Sequence, residues 1–222
     1  MTEKIDRNNI AEVLGIIREQ SAGWNVPVVT LTAVSSKSPF RVLISTVLSL
    51  RTKDETTAQA SERLFREAST PRTVLELGEN RVRNLIYPVG FYRVKAQNII
   101  SICEKLIGEY DGQVPDSLDE LLKFRGVGRK TANLVLSLGY GKFAICVDIH
   151  VHRISNRWGY VDTENPYETE MALQEKLPRK YWIEYNSLLV ALGQQICRPV
   201  SPLCSRCPLS GCCPKRGVSR SR

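Results

Sequence analysis

Four cysteines, Cys197, Cys204, Cys207 and Cys213, stand at the spacing C-x6-C-x2-C-x5-C. Prolines at 199, 202, 208 and 214 interrupt the same stretch, which has no apolar periodicity. A segment of this kind buries no core of its own, so a bound centre must order it. Four thiolates within 17 residues converge on one point only when something holds them there, either an iron–sulfur cluster or a metal ion. The chain carries seven cysteines, and an odd number excludes complete disulfide pairing in a monomer. Cys103, in I-I-S-I-C-E-K-L-I, and Cys146, in A-I-C-V-D, read as small buried apolar side chains. Cys212, beside Cys213, keeps no assigned role.

The 222 residues are enough for one large or two small domains with proper cores. They include 31 basic and 23 acidic side chains, a net charge of +8. That excess favours a polyanionic partner, and nucleic acid is the first candidate. A basic soluble protein with no nucleic-acid role fits the charge equally well. No uncharged apolar run approaches the ~20 residues of a membrane helix. The start, M-T-E-K-I-D-R, lacks the apolar centre of a signal peptide. An intracellular monomer with reduced thiols is expected, cytoplasmic at the nucleoid if the source is prokaryotic.

The pattern predicts an all-α fold. Ile10, Val13, Leu14 and Ile17 recur at helical spacing. Residues 21 to 38 read as a connector with an extended stretch at V-V-T-L-T. Pro39 opens an apolar core helix, F-R-V-L-I-S-T-V-L-S-L, and Glu55 starts the next run after a break at Thr52 and Asp54. Pro71 and Gly78 punctuate short helices. Ser117 and Glu120 have capping-box spacing, with a helix expected from there to Gly126. A second helix is expected from Arg129 to Gly139, and further helices after Asp148, over 167 to 177 and over 181 to 196. Residues 90 to 98, G-F-Y-R-V-K-A-Q-N, echo 126 to 133, G-V-G-R-K-T-A-N. Both place glycine in a turn before a helix bearing a basic residue, an alanine and an asparagine, which predicts two related hairpins.

F-R-G-V-G-R-K would join two helices through a two-glycine turn. Glycine tolerates positive φ and lets backbone N–H groups approach a ligand closely. At the start of the second helix those groups point outward, and the helix dipole adds positive charge. A phosphate oxygen fits there, which grips a strand without reading its bases. Gly126, Val127, Gly128 and Arg129 are the candidate DNA-gripping residues.

L-L-K-F-R-G-V-G-R-K-T-A-N, V-D-I-H at 147 to 150 and the cysteine spacing together resemble the endonuclease III family, the iron–sulfur branch of the helix–hairpin–helix DNA glycosylases. The resemblance spans roughly residues 30 to 215. It implies a [4Fe–4S] cluster rather than zinc on Cys197, Cys204, Cys207 and Cys213. It implies that Lys130 is the nucleophile and Asp148 the catalytic carboxylate. It places Phe91, on a glycine turn, at a wedge position, and Arg51 at a second gap-filling position where family members commonly carry glutamine. That departure leaves the opposite-strand contacts open.

The chemistry supports these roles independently. Cleaving a C1′–N glycosidic bond passes through an oxocarbenium-like transition state, which a nearby carboxylate stabilises. A lysine amine can attack C1′ and form a Schiff base, and β-elimination then breaks the strand. The helix start disfavours the ammonium by only ~0.3–1 kcal/mol. Arg129 acts in the same direction, and desolvation by bound DNA must supply most of the rest. Blander roles exist for each residue. Lys130 suits a phosphate contact, Asp148 an N-cap, and Phe91 a buried core side chain. Asp54 suits either a pocket acid or a helix cap. His150 and His152 read as ordinary helix residues, with His150 near DNA. Arg198, Arg206, Lys215 and Arg216 suit either the phosphate backbone or a solvated surface.

The expected architecture is two helical lobes, 32–141 with the hairpin, and 1–31 plus 142–222 with the cluster, with DNA across the cleft between them. The expected function is a bifunctional DNA glycosylase and abasic-site lyase of base excision repair. Its substrate would be double-stranded DNA bearing oxidised pyrimidines or abasic sites. A uracil or thymine mismatch glycosylase on the same scaffold is the nearest alternative. A non-catalytic DNA-binding or redox-sensing iron–sulfur protein is the alternative from another class.

Overall fold

The computed structural model of the chain describes residues 4–24 and 38–222, so the V-V-T-L-T stretch lies outside the described residues. Among them there are ten α-helices and no strand. The chain divides into two compact units, Val28–Ala144 and Met1–Pro27 with Ile145–Arg222. Among the described residues no helix is long and apolar enough to cross a membrane.

The first helix, α1 (Ile10–Ser21), belongs to the discontinuous unit. Its stripe of Ile10, Val13, Leu14 and Ile17 is fully buried, as the periodicity predicts. It packs on α10 (Trp182–Gln195), and both share a core with α8 (Ile149–Arg157) and α9 (Pro166–Lys176). Leu188, Leu189, Leu192, Val151, Ile154 and Tyr185 fill that core. Leu209 anchors the cysteine segment to it.

The contiguous unit is built around α2 (Pro39–Ser49). Ser38 caps it by accepting the Arg41 N–H, and Pro39 occupies its first turn, where no donor is lost. Every residue from Val42 to Leu48 is buried, which marks a helix surrounded by others. Each fully buried Leu or Ile there contributes roughly 1.5–3 kcal/mol of apolar burial. Helix α2 packs on α3 (Asp54–Glu67), on α5 (Tyr92–Glu109), which follows α4 (Pro71–Ile86) and α3 in the bundle, and on α7 (Arg129–Leu134), while α4 packs on α3 and α5, and α6 (Leu118–Leu121) on α7. Gly78 sits at φ 72 and breaks α4 into two stretches, as expected of a glycine inside a helical pattern. A π-helical turn, Val135–Gly139, continues α7. Gly139 lies against Pro39, where an added Cβ would meet the Pro39 Cα at 3.1 Å.

One expectation fails. Ser117 is the N-cap of α6 but makes no side-chain cap bond, and the helix ends at Leu121 rather than at Gly126. Glu120 turns instead to Lys123, at 2.6 Å, and to the Tyr110 hydroxyl, at 2.7 Å. A lysine three residues on and the tyrosine at the C-cap of α5 outcompete the cap.

Candidate active site and cysteine centre

The two-glycine turn follows α6 and is pinned from below by Leu121, Phe124 and Val127, all buried. Gly126 has φ 78, and an added Cβ would meet the Asn98 amide at 2.4 Å. The asparagine of the first echo thus packs on the glycine of the second. Gly128 is the N-cap of α7, supplies no capping side chain, and has nothing within 4 Å of an added Cβ. The turn is open above the helix start. Arg129 and Lys130 are the first two residues of α7, and both are half-buried. Thr131, Ala132, Asn133 and Leu134 are buried beneath them and fix the orientation of the helix.

Asp148 is the N-cap of α8 and is 8% exposed. One carboxylate oxygen accepts the backbone N–H groups of His150, at 2.8 Å, and Val151, at 2.9 Å. The capping role is therefore real, and it holds the carboxylate in one orientation. His150 is half-buried. Its Nδ1 lies 3.0 Å from the Arg153 guanidinium, and an added Cβ at Gly193 would strike the ring at 2.3 Å. His152 Nδ1 lies 2.7 Å from the Thr169 hydroxyl, inside a side-chain network between α8 and α9. Asp54 is the first residue of α3, behind the N-cap Lys53, where a carboxylate complements the helix dipole.

Cys197, Cys204, Cys207 and Cys213 line one pocket together with Trp158, Leu192, Ile196 and Val218. Cys212 does not line it. Its thiol is buried in the unit's core and donates to the Leu209 carbonyl. Burial pushes the Cys207 and Cys213 thiols up to about 11, and the neighbouring cysteines push the same way. Four thiolates so placed repel one another unless a cationic centre stabilises them. Four thiols lining one pocket form a donor set of the kind that holds an iron–sulfur cluster or a metal ion.

Two arginines of α8 hold the pocket's rim. Arg157, 8% exposed, donates to the Arg198 carbonyl at 2.7 Å, to the Pro199 carbonyl at 2.8 Å and to Cys197 Sγ at 3.4 Å. Arg153 donates to the Cys197 carbonyl at 2.9 Å. Neither was picked out from the sequence. The signal for Arg157 was its register, since it lies on the same face as Val151 and Ile154. Arg198, Arg206 and Arg216 are exposed around the cysteine loop, and Lys215 lines the pocket.

Arg51 and Phe91 lie together in the contiguous unit. Phe91 is 62% exposed, so the buried-core reading falls away. It is the N-cap of α5 at φ 58, and Arg51, also exposed, sits at φ 52. A non-glycine residue at positive φ costs on the order of 1 kcal/mol. The Arg51 guanidinium lies 5.6 Å from the Phe91 ring centre, a cation–π contact.

Comparison with known proteins follows the same lines. The family of HhH-GPD superfamily base excision DNA repair proteins matches residues 44–179. The chain is 51% identical over 175 residues to Endonuclease III of Thermotoga maritima, covering 79% of this chain and 82% of that one. It is 45% identical over 184 residues to Endonuclease III homolog 2, chloroplastic, of Arabidopsis thaliana, where it spans about half, 48%, of that protein and 79% of its own length. Among solved structures, a Trapped Endonuclease III-DNA Covalent Intermediate superposes with a TM-score of 0.83 at 32% identity, covering 95% of this chain and 97% of that one.

Proposed function

This chain belongs to the HhH-GPD superfamily of base excision DNA repair proteins and is a DNA glycosylase/lyase; from that premise we propose that it removes oxidised pyrimidines of the thymine glycol type, with Lys130 as nucleophile and Asp148 as the catalytic carboxylate. The damaged nucleotide leaves the stack, because its C1′ is out of reach inside a duplex. Asp148, held by two backbone N–H groups, stabilises the positive charge that develops on the sugar. The Lys130 amine adds at C1′ as the C1′–N bond to the base breaks, and the base departs with the bonding pair and a proton. The C1′–O4′ bond of the resulting aminal then opens, with O4′ taking up a proton, to give the Schiff base, and loss of its C2′ proton expels the 3′ phosphate.

The hairpin supports the same reading. Gly126 and Gly128 let backbone donors reach a phosphate oxygen, and Arg129 adds charge beside them. We also assign a [4Fe–4S] cluster to Cys197, Cys204, Cys207 and Cys213. Bound there, it would supply folding energy to the cysteine loop and leave Arg198, Arg206 and Arg216 on the surface toward the phosphate backbone. The contiguous unit then serves as the hairpin lobe and the discontinuous one as the cluster lobe.

The observation that carries the reading is Lys130 at the head of α7, directly behind an open, uncapped glycine turn. Borohydride reduction during turnover should trap a covalent adduct on duplexes bearing thymine glycol or an abasic site. Lys130→Ala should abolish the adduct, a loss of at least about a thousandfold, while duplex binding persists. An undiminished adduct in that variant rules Lys130 out. Excision confined to uracil or thymine mismatches would move the substrate class to the mismatch glycosylases.

A further inference from the structure

Lys95 is a lysine that the reaction above does not use. It lies in the first turn of α5 and is 5% exposed, a burial that a lysine side chain reaches only when its ammonium is fully paired. The pairing is complete. Lys95 Nζ lies 2.8 Å from the Leu48 carbonyl, 2.5 Å from the Leu50 carbonyl and 3.0 Å from the Thr52 hydroxyl. An ammonium has three protons, and three acceptors receive them. Two of those acceptors are carbonyls at the C-terminal end of α2, where a cation is favoured.

The same loop is tied to the Phe91 turn a second time. The Gly90 N–H donates to the Thr52 hydroxyl at 3.2 Å. Gly90 itself lies so close to the Arg51 carbonyl that an added Cβ would be 2.6 Å from it. Thr52 therefore accepts from both Lys95 and Gly90, and it donates to the Leu50 carbonyl at 3.2 Å. Lys95 closes the circuit through its own N–H, which donates to the Phe91 carbonyl at 3.0 Å. The bonds fasten the chain on either side of Arg51, at Leu50 and Thr52, and at Gly90 and Phe91, so they bracket the two residues held at positive φ, Arg51 and Phe91.

We propose that Lys95 is a positioning residue that locks the 48–52 loop to the 90–91 turn, so that Arg51 and Phe91 meet the DNA as a single rigid wedge. A wedge works by filling the space of an extruded nucleotide, and a loose one loses that space to solvent and stacking. The exposed pair has no buried side chain of its own to hold it. The stiffness comes from below, through the ammonium. This inference rests on the reading of the chain as a DNA glycosylase/lyase, and its test keeps the two apart.

The test compares two substrates. A thymine glycol inside a duplex must be extruded, whereas an abasic site in a single strand needs no wedge. Lys95→Met keeps the length of the side chain and removes its donors. Duplex excision should fall about tenfold or more, while strand cleavage at a single-stranded abasic site should fall less than about twofold. The Lys95→Met/Phe91→Ala double variant should be no worse on the duplex than Phe91→Ala alone, since both changes disable one device. A parallel loss on both substrates, or strictly additive losses in the double variant, would overturn the proposal, as would an unchanged duplex rate. Wild-type protein inactive on both substrates would refute the glycosylase/lyase reading instead. If Lys95→Met does not fold, Thr52→Val removes one acceptor and the Gly90 bond, and the same ratio of duplex to single-strand activity applies.

Discussion

The turn at Gly126–Gly128 and the turn at Gly90–Phe91 hand the chain to helices in similar ways. Each places glycine before a basic residue, an alanine and an asparagine. Gly126 and Gly90 are both crowded, by the Asn98 side chain and the Arg51 carbonyl, and the difference lies at Gly128. Gly128 has open space where a side chain would stand. Gly90 has the Arg51 carbonyl there, and the helix behind it carries an ammonium locked into a neighbouring loop. The first turn is shaped to admit an atom from outside, and the second to push an atom outward without yielding. One sequence pattern thus serves two mechanical ends, and the second glycine, present at 128 and replaced by Tyr92 in the other copy, decides which.

Substitution at the two glycines sharpens the contrast most. Gly90→Ala sets a Cβ against a backbone oxygen that cannot swing aside, and should cost roughly 2–4 kcal/mol of stability, read as a fall in denaturation midpoint. Retained midpoint and duplex activity in this variant would show that the locked turn is softer than its contacts imply.

The next effect is electrostatic. Burial depresses the Lys95 ammonium to about 8, and its partners are neutral oxygens. The unfolded chain, where the side chain titrates at its ordinary higher value, then binds more protons above pH 8. Stability linked to this group should therefore rise as pH rises from about 8 toward 10 and be lost as pH falls through 8. Wild type should gain roughly 1–3 kcal/mol over Lys95→Met across that window, measured as the difference between their denaturation midpoints. A difference that stays flat with pH would mean the ammonium is not buried as described.

The smallest effect on stability belongs to the open turn. Gly128→Ala should change stability by no more than about 0.5 kcal/mol, because the new methyl meets nothing. Duplex affinity should nevertheless weaken, since the methyl occupies space a phosphate would use. Unchanged affinity would break the comparison at its other end.

Much of this was legible in the residues. The α1 stripe, the Pro39 helix start, the break at Gly78 and the helices after Asp148 follow from periodicity and from proline and glycine chemistry. Family membership and enzyme class followed from three short motifs. The failures share a cause. Ser117 and Glu120 have the right spacing for a cap, but Glu120 found Lys123 and Tyr110, and no local rule ranks those partners. Lys95 lies in register with Ile99, Ile102 and Leu106, so its burial was readable, but the loop that receives its charge is more than forty residues away. Local signals locate an element. Which distant carbonyl completes it is a property of packing.

The discontinuity of the Met1–Pro27 and Ile145–Arg222 unit has a consequence in time. Ribosomes deliver the chain from its amino end, and domains tend to fold as units while they emerge. The contiguous unit, Val28–Ala144, has all of its own helices in hand long before synthesis ends. The apolar stripe of α1 was made earlier, but it packs on α10, residues 182–195, and cannot be covered until those residues are translated. Helix α1 therefore leaves the ribosome ahead of the contiguous unit and is buried after it.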